Sequence, residues 1–160
     1  MITFNPDEIF EMAEQIERNG ARFYRKAAES ADDESRSLLE NLAAMEDEHD
    51  NTFSAMRAEL SDAEKRPITA DPDNEAALYL RAMADGKVFA DDPSEQLTGG
   101  ESTAEILTTA IGLEKDSIIF YESTREFVKK DESLRRIDEI IRQEIGHIVD
   151  LTAHLEALKR

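Results

Sequence analysis

The sequence predicts an all-α protein: four long helices packed antiparallel as a bundle, with a long crossover between the second and the third. Three observations carry this. Glycine and proline are few (6 and 4), and Pro67, Pro72, Gly86, Pro93, Gly99 and Gly100 cluster between residues 66 and 100. The stretches on either side are long and nearly free of breakers, with apolar residues at three- and four-residue spacing. Helix-start signals stand where the breakers end.

The first helix is expected over residues 6–30, with Asn5 as N-cap and Pro6 at the first helical position. Asp32 or Asp33 can cap a second helix over 33–64. Ser102-Thr103-Ala104-Glu105 is a capping-box pattern opening a third helix over 102–129. Lys129-Lys130-Asp131 places cations at one helix C-terminus and a carboxylate at the next N-terminus, so a fourth helix is expected over 131–158. Each helix spans about 40–45 Å. Within the crossover, 65–101, Asp73-Asn74-Glu75 followed by Ala76-Ala77-Leu78-Tyr79-Leu80-Arg81-Ala82-Met83 suggests one short helix ending near Gly86. A connection this long can run the height of a bundle, joining two short-turn hairpins.

Size and charge narrow the function. The 160 residues are one domain's worth, expected to fold as a single unit over 1–160. The 37 acidic against 19 basic residues give a net charge of -18. Such a surface repels phosphate backbones and anionic headgroups, so nucleic-acid and membrane partners are not expected. Cysteine is absent, which excludes thiolate chemistry, disulfides and iron–sulfur clusters. No apolar run approaches the ~20 residues that cross a bilayer. Met1-Ile2-Thr3-Phe4-Asn5-Pro6-Asp7 has neither a basic start nor an apolar h-region, so a cytoplasmic location is expected.

The core-facing stripes hold an anomaly. They read Phe10, Ala13, Glu17, Gly20, Tyr24, Ala27 in the first helix and Leu39, Leu42, Glu46, His49, Phe53, Met56, Leu60 in the second. The third reads Leu107, Ala110, Glu114, Ser117, Tyr121, Thr124, Val128, and the fourth Ile137, Ile140, Glu144, His147, Leu151, His154, Leu158. Each carries an ionisable residue mid-stripe, where leucine would be expected. In a tight helical hairpin, residues equidistant from the turn face each other. The midpoint of Glu17 and Glu46 falls between Ala31 and Asp32, and that of Glu114 and Glu144 falls on Lys129. The two glutamates of each hairpin therefore meet at one level, roughly 20 Å from the turn. The hairpins also repeat each other: Glu17, Phe23 and Tyr24 recur as Glu114, Phe120 and Tyr121, and Glu46 and His49 as Glu144 and His147.

Four carboxylates converging in an apolar interior each lose solvation costing several kcal/mol and repel one another. Two divalent cations balance them with neutral histidines. Glu-x-x-His puts both side chains on one helical face, one turn apart. Mixed oxygen and nitrogen ligation suits iron or manganese better than a structural zinc site.

A glutamate from each of two helices plus Glu-x-x-His from each of the other two is the ligand template of ferritin-like di-iron and di-manganese bundles. The chain resembles their rubrerythrin-type branch. The resemblance rests on Glu17-Arg18-Asn19-Gly20-Ala21-Arg22-Phe23-Tyr24, Leu42-Ala43-Ala44-Met45-Glu46-Asp47-Glu48-His49, Gly112-Leu113-Glu114-Lys115-Asp116-Ser117-Ile118-Ile119-Phe120-Tyr121 and Ile141-Arg142-Gln143-Glu144-Ile145-Gly146-His147. It implies a ferritin-like bundle with Glu17, Glu46, His49, Glu114, Glu144 and His147 as metal ligands. Two iron ions are the implied cofactor, with manganese or a mixed iron–manganese pair as alternatives and zinc as an adventitious occupant. The implied activity is that of an oxidoreductase reducing hydrogen peroxide or dioxygen, the resemblance pointing to peroxide; a homodimer is the family expectation. Two features depart from the family. Rubrerythrins proper have a second glutamate three residues after the third-helix ligand, where this chain has Ser117, which puts their redox-linked iron shift in question. They also carry a cysteine-rich rubredoxin-like domain; with no cysteine here, the electron donor is expected to be a separate molecule.

Around the six, Tyr24 and Tyr121 are either core aromatics or functional neighbours of the metals, as hydrogen-bond partners of a ligand carboxylate or as redox-active phenols. Gly20 either leaves space for a small oxidant or marks a close helix contact. His154 is read as an end-of-bundle histidine. Glu11, Glu14, Asp47, Glu48 and Asp116 are read as a solvated face. Ferroxidase activity feeding iron storage is the competing function, and a metal-free acidic interaction bundle the remote one.

Overall fold

The computed structural model describes residues 2–66, 68–70, 75–82 and 92–159. Helices α1 (Pro6–Ser30), α2 (Asp33–Ala58), α4 (Thr103–Thr124) and α5 (Asp131–Ala157) form the bundle, and the shorter α3 (Glu75–Ala82) belongs to the crossover. The start signals act as their chemistry requires. Asn5 accepts from the Asp7 amide at 2.9 Å, with Pro6 in the first turn. Asp32 accepts from the Ser35 amide at 2.9 Å. Ser102 and Glu105 close a reciprocal capping box on α4, and α5 opens at Asp131.

The ends differ from expectation for local reasons. α2 stops at Ala58 rather than near 64, because Ser61-Asp62-Ala63-Glu64 forms its own capping pair. The Ser61 amide donates to Glu64 Oε2 at 2.9 Å and the Ser61 hydroxyl donates to the same oxygen at 2.6 Å, which competes with helix continuation. α4 stops at Thr124 rather than 129; the Thr124 hydroxyl bonds the Tyr121 carbonyl at 2.8 Å, and Arg125–Phe127 tightens into a 3-10 turn.

The expectation of helices alone omits a small ribbon: β1 (Ile2–Phe4) pairs antiparallel with β2 (Ile68–Ala70), Thr3 opposite Thr69. Three-residue strands are too short for alternation to show in sequence. The crossover's short helix is present as α3; the expected start at Asp73-Asn74 and end near Gly86 lie outside the described residues. A further 3-10 turn, Pro93–Gln96, is capped by Asp92. It is tied to α1 by Arg22, which donates to Asp92 at 2.6 Å, and by Lys26, which donates to the Ser94 carbonyl at 2.7 Å.

The core is divided. One apolar cluster holds Phe10, Phe53, Met56, Leu80, Phe120 and Ile137. The other holds Phe23, Leu39, Leu42, Ile106, Leu107 and Leu151. Between them the same four helices carry a polar layer. Among the described residues no helix is long and apolar enough to cross a membrane.

Candidate metal centre

That layer contains all six residues singled out by spacing. α1 supplies Glu17, α2 supplies Glu46 and His49, α4 supplies Glu114, and α5 supplies Glu144 and His147. Each is at most 4% exposed. They fall into two overlapping groups, Glu17, Glu46, His49 and Glu144, and Glu46, Glu114, Glu144 and His147. Within each group one oxygen or nitrogen per residue lies within 4.8 Å of all the others. Glu46 and Glu144 belong to both.

The imidazoles turn Nδ1 toward the carboxylates. His49 Nδ1 lies 2.9 Å from Glu144 and 3.4 Å from Glu17. His147 Nδ1 lies 3.0 Å from Glu144 and 3.4 Å from Glu114. The rings stack, 5.8 Å between centroids.

Polar groups buried this deeply are nearly always hydrogen-bonded. Here Glu17 Oε2, Glu46 Oε1, His49 Nδ1, Glu144 Oε1 and His147 Nε2 are buried without a well-aligned hydrogen bond among the described residues, His49 Nδ1 and Glu144 Oε1 facing each other as an ion pair. Four of the five are donor atoms on the inward side of the cluster. Oxygen and nitrogen donors held in this way fit a pair of divalent cations, and the absence of thiolate fits iron or manganese.

The surroundings hold the donors in place. The Tyr121 hydroxyl donates to Glu17 Oε1 and the Tyr24 hydroxyl to Glu114 Oε1, each phenol reaching across to the opposite hairpin. Of the readings left open for the tyrosines, the structure gives the carboxylate partner. Of the two readings of Gly20, the structure gives the close contact between helices: a Cβ there would stand 3.1 Å from Glu46 Oε2 on α2, so the Glu46 carboxylate fills the space the side chain would take. Ser117 turns its hydroxyl onto the Leu113 carbonyl at 3.1 Å. One contact carries no sequence signal that helical spacing could reveal: Gln143 Oε1 lies 2.6 Å from His49 Nε2. Gln143 precedes a ligand on an exposed position and looks like any surface polar residue.

Electrostatics follow from burial. Desolvation, reinforced by neighbouring carboxylates, pushes Glu17 and Glu46 well above the usual carboxyl range and Glu114 up to about 8. Burial would raise Glu144 too, but hydrogen bonds from Glu114, His147 and His49 hold it below that range. Burial opposes charging of the histidines; hydrogen bonds to Glu144 for His49, and to Glu114 and Glu144 for His147, outweigh it and raise them to about 9 and about 10. Desolvation and the adjacent carboxylates lift both tyrosines far above the ordinary phenol value, so they remain neutral donors. Without metal, the cluster stores the protons that cations would displace.

The remaining residues sort themselves by location. His154 sits toward the far end of α5, its Nε2 2.9 Å from the Ser35 hydroxyl that also bonds the cap residue Asp32. Glu14 is a correction to the solvated-face reading: it is 7% exposed, with Arg18 and Arg57 each 3.4 Å away. Arginine neutralises a carboxylate that helix periodicity alone assigned to water.

Comparison with known proteins bears on the family and the fold. No curated protein matches the chain in sequence. A solved structure from Thermotoga maritima, described as a ferritin-like diiron-carboxylate protein, superposes with a TM-score of 0.73 at 23% identity, covering 98% of this chain and 97% of that one. That likeness shows the fold. Residues 8–155 match the family Rubrerythrin, and with nearly the whole bundle inside the match, the chain belongs to the rubrerythrin family.

Proposed function

We propose that Glu17, Glu46, His49, Glu114, Glu144 and His147 hold two iron ions, and that the protein is an oxidoreductase acting on a small oxidant, hydrogen peroxide ahead of dioxygen. The observation that supports this most is the pair of overlapping four-residue groups, both buried, in which Glu17, Glu46, His49 and Glu144 each keep a donor atom without a well-aligned hydrogen bond among the described residues. Glu17, Glu46, His49 and Glu144 would hold one ion, and Glu46, Glu114, Glu144 and His147 the other. Bound ferrous ions supply electrons and Lewis acidity at that point.

The chain's own residues do the rest. Glu46 and Glu144, shared between the groups, couple the two positions. Tyr24 and Tyr121 keep their phenolic protons and fix Glu114 Oε1 and Glu17 Oε1, which leaves Glu17 Oε2 free to ligate. Gln143 orients His49 through Nε2, so that Nδ1 faces the carboxylates. The two apolar clusters close the layer at both ends and limit water. Electrons come from a donor outside this cysteine-free sequence.

Anaerobic ferrous titration tests the site: saturation is expected at two ions per chain. Mixing the loaded protein with peroxide or with dioxygen tests the reaction, and faster oxidation by peroxide is expected. A peroxide rate no greater than the dioxygen rate moves the assignment to ferroxidase activity. Saturation at zero leaves a metal-free acidic bundle.

A further inference from the structure

The pseudo-two-fold that relates the hairpins fails at one pair of positions. Gln143, one residue before Glu144, reaches His49 Nε2 at 2.6 Å. Its counterpart one residue before Glu46 is Met45, which offers His147 no comparable acceptor. His147 Nε2 is accordingly buried with no hydrogen-bond partner among the described residues. One histidine is latched and the other is not.

The unlatched one borders a way in. A cleft of about 600 Å³ lies between α2 and α5, with Asn41, Ala44 and Met45 on one wall, Gln143, Gly146 and Asp150 on the other, and His147 in its lining. Asn41, Ala44, Gly146 and Asp150 are exposed, whereas His147 is 2% exposed and so marks the inner end. The wall at Gly146 is open: a Cβ built there meets nothing within 4 Å, so a large side chain can be placed there without a clash at its first atom. Asp150 places a carboxylate at the mouth, where it favours cations over anions. Above and below the polar layer lie the two apolar clusters, which disfavour a hydrated cation.

We propose that the cleft between α2 and α5 is the route by which metal ions reach the centre, with His147 as its movable inner gate and the first ligand they meet. The proposal rests on the two-metal reading above. Nothing among the described residues anchors His147 Nε2, so turning aside costs it the Nδ1 contacts to Glu144 and Glu114 but no outer bond. His49, held by Gln143, stays in place throughout.

Filling the cleft tests this. Gly146→Leu adds bulk where the backbone has room and replaces a helical glycine, so the fold should be no less stable. Its counterpart control is Gly112→Leu on α4, another helical glycine whose Cβ would meet nothing within 4 Å but which does not line the cleft. Co²⁺ is the probe, followed anaerobically by stopped-flow visible absorption, with equilibrium dialysis for stoichiometry. Gly146→Leu is expected to bind two Co²⁺ per chain at equilibrium yet take them up about tenfold more slowly or worse, as for binding that must wait on a conformational change. Gly112→Leu should load like the parent protein. Uptake by Gly146→Leu as fast as the parent, or equal slowing in both variants, overturns the route. Should Gly146→Leu fail to fold, Ala44→Phe on the opposite wall decides in the same way. A parent protein that binds no Co²⁺ at equilibrium refutes the two-metal reading instead, so the two failures are distinct.

Discussion

The hairpin of α1 and α2 and the hairpin of α4 and α5 each deliver two glutamates and a histidine to one layer but support them differently. Glu17 and Glu114 are each bonded by the other hairpin's tyrosine. Glu46 leans into the space beside Gly20, whereas the position matching Gly20 on α4 is Ser117, its hydroxyl spent on the helix backbone. His49 is backed by Gln143 and His147 by nothing equivalent. Identity is kept where donor atoms must converge and lost one position away. The chemistry of the layer constrains both halves alike, while retention and access need only one half open.

The largest expected effect sharpens the distinction between shared and unshared carboxylates. Glu46 and Glu144 belong to both four-residue groups; Glu17 and Glu114 belong to one each. Glu46→Ala and Glu144→Ala should reduce anaerobic ferrous binding from two ions to less than one per chain, whereas Glu17→Ala and Glu114→Ala should leave one. Equal stoichiometry in all four variants would show that the halves are independent and no carboxylate is shared.

Next in size is the pH response of the metal-free layer, in which the halves act together. Glu17, Glu46 and Glu114 have carboxyls raised by burial. Their contribution to stability is complete below the unfolded value and is lost as pH rises through the folded one, about 8 for Glu114. His49 and His147, raised to about 9 and about 10 by their carboxylate partners, follow the same sign, losing their contribution as pH climbs toward those values. Glu144 alone runs the other way: held low by its hydrogen bonds, it stabilises above the unfolded carboxyl value and loses that on acidification. The sum is a metal-free protein whose melting temperature falls between about pH 5 and about pH 9. Ligands must shed protons to bind cations, so Co²⁺ should stabilise most at the alkaline end. Thermal scans with and without chelator read this directly; a chelated protein that gains stability on alkalinisation contradicts the protonation scheme.

How much of this a reader of the sequence can see depends on whether a residue's signal is periodic. Glu17, Glu46, His49, Glu114, Glu144 and His147 stand out because each interrupts an apolar stripe, and hairpin symmetry sets their heights. Asn5, Asp32 and Ser102 are legible because capping is local chemistry. The premature ends of α2 and α4 are less so: Ser61-Asp62-Ala63-Glu64 competes with a helix it could equally have continued. The ribbon of β1 and β2 is set by a pairing distant in sequence. Gln143 and Glu14 are illegible for a common reason, since each is a polar residue on an apparently polar face whose partner comes from another helix or from arginine side chains that spacing does not fix.

A smaller effect is expected from exchanging the latch. Gln143→Leu removes the acceptor from His49 Nε2, and loss of such an outer contact typically costs 10–100-fold in metal affinity. Met45→Gln offers His147 Nε2 an amide of the kind His49 already has. Co²⁺ dissociation, measured by competition with a chelator, should speed up in Gln143→Leu and slow down in Met45→Gln. If both variants release Co²⁺ like the parent, the difference between the two histidines has no consequence for retention.

The smallest effect separates Gly20 from Ser117. Gly20→Ala removes a helical glycine, which favours the folded helix by about 1 kcal/mol in an unobstructed setting. Its Cβ would stand 3.1 Å from Glu46 Oε2 and 3.3 Å from Glu46 Cδ, closer than comfortable contact. In the metal-free protein the end of the Glu46 side chain can swing aside, so most of the helix gain should survive as a melting temperature higher by about 2–4 °C. On the proposed two-metal reading Glu46 would be held by both positions and could not move without pulling on them. The gain should then shrink or reverse, so that Gly20→Ala raises the metal-free melting temperature and narrows the increment that Co²⁺ adds. Ser117→Ala touches no ligand, because its hydroxyl bonds only the Leu113 carbonyl, and should shift both forms equally. An unchanged Co²⁺ increment in Gly20→Ala would mean that Glu46 reaches its metal-bound position without the room the glycine leaves.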